Sequence, residues 1–138
     1  MINLLVNAVP IAVVMKALST TQAPAAIGPY SQAIEANGTV YVSGQLPIDP
    51  ATGEFAKGDI KDLARQSLTN IKNILASEGL EMKNVAKVTV LLADISNFVA
   101  VNEVYAEFFE APYPARSAFA VAALPKGAAI EIEAIAVK

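Results

Sequence analysis

Tyr30–Gln45 reads YSQAIEANGTVYVSGQ, and the way this stretch folds back on itself decides the architecture. At its centre Asn37-Gly38 is the strongest short signal for a tight hairpin, because both central residues of such a turn need a positive φ, which Asn tolerates and Gly adopts freely. The flanks, Tyr30–Ala36 and Thr39–Gln45, are therefore expected to be two antiparallel strands. Beyond them Pro47–Gly53 is dense in turn residues, so the chain is expected to leave the sheet there.

Further along, Asp59 is a natural N-cap. Ile60, Leu63, Ala64, Leu68, Ile71, Ile74 and Leu75 follow at helical spacing, and Gly79 can end the helix. The polar face of that helix, with Lys61, Asp62, Arg65, Lys72 and Asn73, is read as solvated. Val85–Ala93 is β-branched enough for a buried strand. Ser96 is expected to cap a second helix whose stripe of Phe98, Val101, Tyr105, Phe108 and Phe109 reads as core. Two more strands, Ala115–Ala122 and Ala129–Val137, flank the turn Leu124–Gly127. The order strand, strand, helix, strand, helix, strand, strand predicts an α+β domain, a mixed sheet with two helices on one face.

The chain has 138 residues, enough for one domain with a real core. Residues 15–138 are read as that domain, and residues 1–14 as an apolar N-terminal extension or extra strand. The extension is too short to span a bilayer, and its first positive charge, Lys16, follows the apolar run, whereas a secretory signal carries its charge ahead of that run. Hydrophobic residues make up 54% of the chain, more than a small monomer readily hides, so part of the surface is expected to be buried between subunits. Net charge is −3, which offers no footprint for a phosphate backbone; no nucleic-acid or membrane partner is expected. With neither His nor Cys, a Ser or Cys nucleophile paired with His, a HExxH zinc site and a CxxC site are all excluded. The missing thiols suit a reducing cytoplasm.

One cation and two carboxylates interrupt the apolar C-terminal strands. Alternation puts Arg116 with Ala118 and Ala120 on one face and Ser117 with Phe119 and Val121 on the other, and it separates Ile130, Ile132 and Ala134 from Glu131 and Glu133. Phe119 and Val121 look like the core side, which would send Arg116, Glu131 and Glu133 together to the far face of the sheet, where subunits would meet. A buried Arg needs a partner. Either Arg116 pairs with Glu131 or Glu133, within or between chains, or it clamps the carboxylate of a small acid while a glutamate handles a proton. Tyr30, Ser43-Gly44 at the end of the second strand and Asn102 are weaker candidates, each with an ordinary structural explanation.

Taken together, IGPYSQAI (Ile27–Ile34), YVSGQLPIDPATGE (Tyr41–Glu54), RQSLTNIKNIL (Arg65–Leu75), PARSAF (Pro114–Phe119) and LPKGAAIEIEAIAV (Leu124–Val137) resemble the RidA (YjgF) family of reactive intermediate deaminases. The likeness begins near Met15, which suggests Met15 as the usual start. It implies a chorismate-mutase-like α+β fold assembled as a homotrimer with clefts between subunits. It further implies hydrolysis of 2-imino acids such as 2-iminopropanoate and 2-iminobutanoate to 2-oxo acids and ammonia, with no metal or organic cofactor. By the same resemblance Arg116 binds the substrate carboxylate and Glu131 activates or positions water, while Tyr30, Ser43, Gly44 and Asn102 line the pocket. Ala118 departs from the Cys that several members carry. The alternative is a non-catalytic trimer, metabolite-binding and regulatory or chaperone-like.

Overall fold

The computed structural model describes residues 14–138; all but the last residue of the 1–14 extension lies outside them. Eight strands and two helices follow one another: β1 (Met15–Leu18), β2 (Ala33–Ala36), β3 (Thr39–Gln45), β4 (Ile48–Asp49), β5 (Glu54–Phe55), α1 (Ile60–Ala76), β6 (Val85–Leu92), α2 (Phe98–Phe108), β7 (Ala115–Ala120) and β8 (Ile130–Val137). Six of the strands make one sheet in the order β1-β2-β3-β8-β6-β7. Among the described residues only the β6–β7 pair is parallel, as the crossover through α2 requires. The expected mixed sheet with two helices is present. Two pieces were not foreseen: β1 lengthens the sheet by one edge strand, and the turn-rich segment after β3 forms the small β4–β5 ribbon.

Asn37 (φ 50°) and Gly38 (φ 81°) both take positive φ, and β2 pairs with β3 from Ala36↔Thr39 outward. The first arm of the hairpin is shorter than expected, since regular pairing starts only at Ala33. Before it, the buried Gln32 side chain ties down the incoming loop: its amide nitrogen donates to the Thr20, Ala23 and Pro24 carbonyls, and its oxygen accepts from Thr20 N–H.

Asp59 caps α1 by accepting from the Lys61 and Asp62 N–H groups, and Asp62 returns a bond to Asp59 N–H, a reciprocal capping box. Ala64, Leu68, Ile71, Ile74 and Leu75 of α1 are buried against Val40, Val88, Val90, Ile130 and Ile132 of the sheet. Asn70, also buried, donates to the Leu46 and Ile48 carbonyls and so fixes β4 to α1. Ahead of α2 it is Asp94, not Ser96, whose side chain caps a short 3-10 turn, and Ser96 supplies the N–H it accepts. Both helices cover the same side of the sheet. On the other side Tyr41, Phe119 and Val137 are about half exposed, so that face is bare and partly apolar.

Candidate functional site

β7 reverses one expectation. Arg116 is in register with Val88 and Val88 with Ala134, whereas Phe119 is in register with Leu91 and Leu91 with Glu131. Residues in register share a face, and Val88 and Ala134 are core. Arg116 and Ala118 therefore lie on the helix-covered side, and Phe119 on the bare side with Glu131 and Glu133. Alternation states which residues share a face but not which face is covered. Phe119, expected on the core side, is about half exposed, while the small Ala118 packs against the core.

The helix side shows what holds the arginine. Phe98, Asn102 and Tyr105 recur at i, i+4 and i+7, one face of α2. The Arg116 guanidinium carbon is 4.5 Å from the Tyr105 ring centroid and 5.2 Å from that of Phe98, within cation–π range of both. Its Nη1 donates to Asn102 Oδ1 at 2.8 Å. No carboxylate among the described residues pairs with it, so the salt bridge within one chain is not made. Arg116 carries five N–H donors, and it lines an open cleft of about 450 Å³ with Asn102, Tyr105, Ala106, Tyr113 and Pro114. The Tyr105 hydroxyl is buried without a partner; burial raises its pKa, against the pull of Arg116. Tyr105 is core and Phe98 packs against it, as expected; their added role as brackets for Arg116 is signalled in the sequence only by their spacing around Asn102.

A second cleft, of about 430 Å³, opens elsewhere on the surface and holds three of the remaining candidates, with Ser43 outside its wall. Tyr30, Gly44 and Glu131 line it together with Ile27, Leu46 and Lys126. The Ile27 N–H donates to the Tyr30 hydroxyl at 3.4 Å. Ser43 Oγ donates to the Ser31 carbonyl at 2.6 Å, which leaves its lone pairs as what it can offer a ligand. Burial first, and the neighbouring Glu133 carboxylate second, hold the Glu131 carboxyl above the ordinary glutamate range, the direction a proton-accepting group needs near neutral pH. Arg116 with Asn102, and Glu131 with Tyr30 and Gly44, thus form two separate clusters on opposite sides of one sheet. One chain does not bring them together.

A family described as Endoribonuclease L-PSP matches residues 20–138. The chain belongs to that family, also known as YjgF/RidA. Among its YjgF/RidA relatives, the 2-iminobutanoate/2-iminopropanoate deaminase of Capra hircus is 55% identical over 125 residues, covering 91% of each chain. Of solved structures, RidA from an Antarctic Psychrobacter is 46% identical, with a TM-score of 0.85 over 89% of this chain and 99% of that one. Escherichia coli TdcF, solved with bound serine, has the same identity and TM-score over 89% of this chain and 98% of its own. Among the described residues no His, Cys, Asp and Glu cluster is arranged to hold a metal, and no helix is long and apolar enough to cross a membrane.

Proposed function

We propose that this chain is a 2-iminobutanoate/2-iminopropanoate deaminase, hydrolysing small 2-imino acids to 2-oxo acids and ammonia. The relatives that carry this name are 49–55% identical over 91% of the chain. The observation that carries the chemistry is Arg116, braced by two rings and one neutral oxygen with its other donors free for an anion. Arg grips a carboxylate through two parallel bonds. In a 2-imino acid the carboxylate is attached to the C=N carbon, so gripping one places the other. The water oxygen bonds to that carbon while the C=N π pair moves to nitrogen. Glu131 takes the proton from water and passes it to the nitrogen. Glu131 then takes the carbinolamine's hydroxyl proton and delivers it to the amino nitrogen; as the oxygen pair forms the C=O bond, the C–N pair leaves with nitrogen, giving ammonia and a 2-oxo acid.

This scheme requires Arg116 and Glu131 on one substrate. Because they occupy opposite sides of a sheet, the proposed enzyme needs more than one copy, which fits the homotrimer that the family resemblance implies, with one copy supplying the Arg116 half and its neighbour the Glu131 half. The bare face with Tyr41, Phe119 and Val137 supports such burial between copies. Its ligands are small 2-imino and 2-oxo acids, its cofactor requirement none, and its proposed setting the cytoplasm, on the absence of Cys.

The test generates 2-iminobutanoate with a threonine dehydratase and follows 2-oxobutanoate. Wild type accelerates ammonia release above the spontaneous rate, and Arg116→Ala does not. The serine bound to TdcF, an amino acid with the same carboxylate, favours a second reading, a metabolite-binding trimer without turnover. That reading predicts 2-oxobutanoate binding with no change in the imine's lifetime.

A further inference from the structure

β3 and β8 lose register between two pairs: Val42 faces Ala134 and Gln45 faces Ile132, so three steps on β3 answer two on β8. The extra residue is a β-bulge that contains Ser43 and Gly44. A Cβ on Gly44 would fall 2.0 Å from Glu131 Oε1, 2.8 Å from Cδ and 3.1 Å from Cγ, so the end of the Glu131 side chain would have to move aside. Gly44 is not among the residues with positive φ, so the backbone itself would accept alanine. What lies in the space a Cβ would fill is the Glu131 carboxylate, which a side chain at this position would displace.

We propose that Gly44 is a positioning residue for Glu131: the bulge and the missing Cβ form the seat that holds the carboxylate at the cleft. This rests on the proposed deaminase reading and assigns Gly44 a role other than contact with substrate. Among the described residues no side chain donates to the Glu131 carboxylate, and the space left by the missing Cβ is what accommodates it. The other titratable groups around it are Glu133 on β8 and Tyr30 and Lys126 on the cleft wall. Seating also removes the carboxylate from water, in line with its raised pKa.

The experiment is a pair of double-mutant cycles. In the first, Tm is measured for wild type, Gly44→Ala, Glu131→Ala and the double variant. The seat predicts that the two positions are coupled: the change in Tm on Gly44→Ala differs between the wild-type background, where Glu131 must move, and the truncated one, where nothing has to. An equal change in both backgrounds overturns the proposal, and the double variant gives this answer even if Gly44→Ala alone fails to fold. In the second, imine hydrolysis is compared in Gly44→Ala, Glu131→Gln and their combination. A displaced base costs roughly 10–100-fold in kcat, with KM nearly unchanged and the acid limb of the pH profile moved toward the ordinary glutamate value. In the Glu131→Gln background Gly44→Ala costs no further activity. A rise in KM together with lost 2-oxobutanoate binding would instead mean that substrate contacts Gly44, and would overturn the proposal. An inactive wild type would refute the deaminase reading alone, because the Tm cycle still decides whether the seat exists.

Discussion

Arg116 is defined as much by what it lacks as by what it touches. Two aromatic faces and one amide oxygen fix its plane, and no carboxylate among the described residues neutralises it. On the proposed mechanism, Arg116→Ala forfeits two charge-assisted bonds to substrate at about 1.5–2 kcal/mol each, or roughly 10²–10³-fold in kcat/KM. Arg116→Lys keeps the charge but loses the planar fork and the stacking, so steady-state kinetics should place it between wild type and alanine. At Glu131 the raised pKa has a kinetic sign. A base acts when deprotonated, so activity rises with pH through that value, and the acid limb of kcat lies above the usual glutamate value of about 4.3. In Glu131→Gln the limb disappears together with most of the rate; a surviving limb would assign it to another group.

The elements show which parts of this arrangement a sequence can reveal. The hairpin, α1 and the strand β6 were readable because local signals, Asn37-Gly38, Asp59 and the β-branched run from Val85, agree with the tertiary packing. The ends of the strands were not, since pairing starts where a partner strand begins: Tyr30–Gln32 stay outside β2 because that part of the chain serves the loop tied by Gln32. The side taken by Arg116 was also hidden, because only the position of α2 decides which face of β7 is covered. The nearness of Gly44 to Glu131 depends on a bulge, which shifts register without a unique residue signature. Two stability predictions belong to these elements. Gly38→Ala, with open space around its Cβ, suffers only the left-handed backbone cost, about 1 kcal/mol, visible as a drop of several degrees in Tm. Asn70→Ala strips the donors from two carbonyls of the segment leading into β4, a loss of roughly 2–3 kcal/mol in denaturant unfolding. It also loosens Leu46 and Ile48 on the wall of the Glu131 cleft.

Across the whole molecule, the two ends of the described chain are joined through one glutamate. Glu78, just after α1, accepts from Lys16 of β1 and from the C-terminal Lys138, at 3.0 Å each, and these bonds lower its pKa. A carboxylate depressed in the folded state stabilises above its unfolded pKa, and the effect disappears as pH falls through the folded value. Glu78→Gln should therefore lower Tm at pH 7 and match wild type in strong acid; a constant gap across that range would contradict the assignment. Largest in scale is the proposed sharing of the site, which follows from Arg116 and Glu131 lying on opposite sides of the sheet. Its most direct test co-refolds two inactive variants, Arg116→Ala and Glu131→Gln, in equal amounts. If each site takes Arg116 from one copy and Glu131 from the next, random assembly of a cyclic oligomer makes about one site in four whole, and the mixture regains about a quarter of wild-type imine hydrolysis. A mixture no more active than either variant alone would contradict the account.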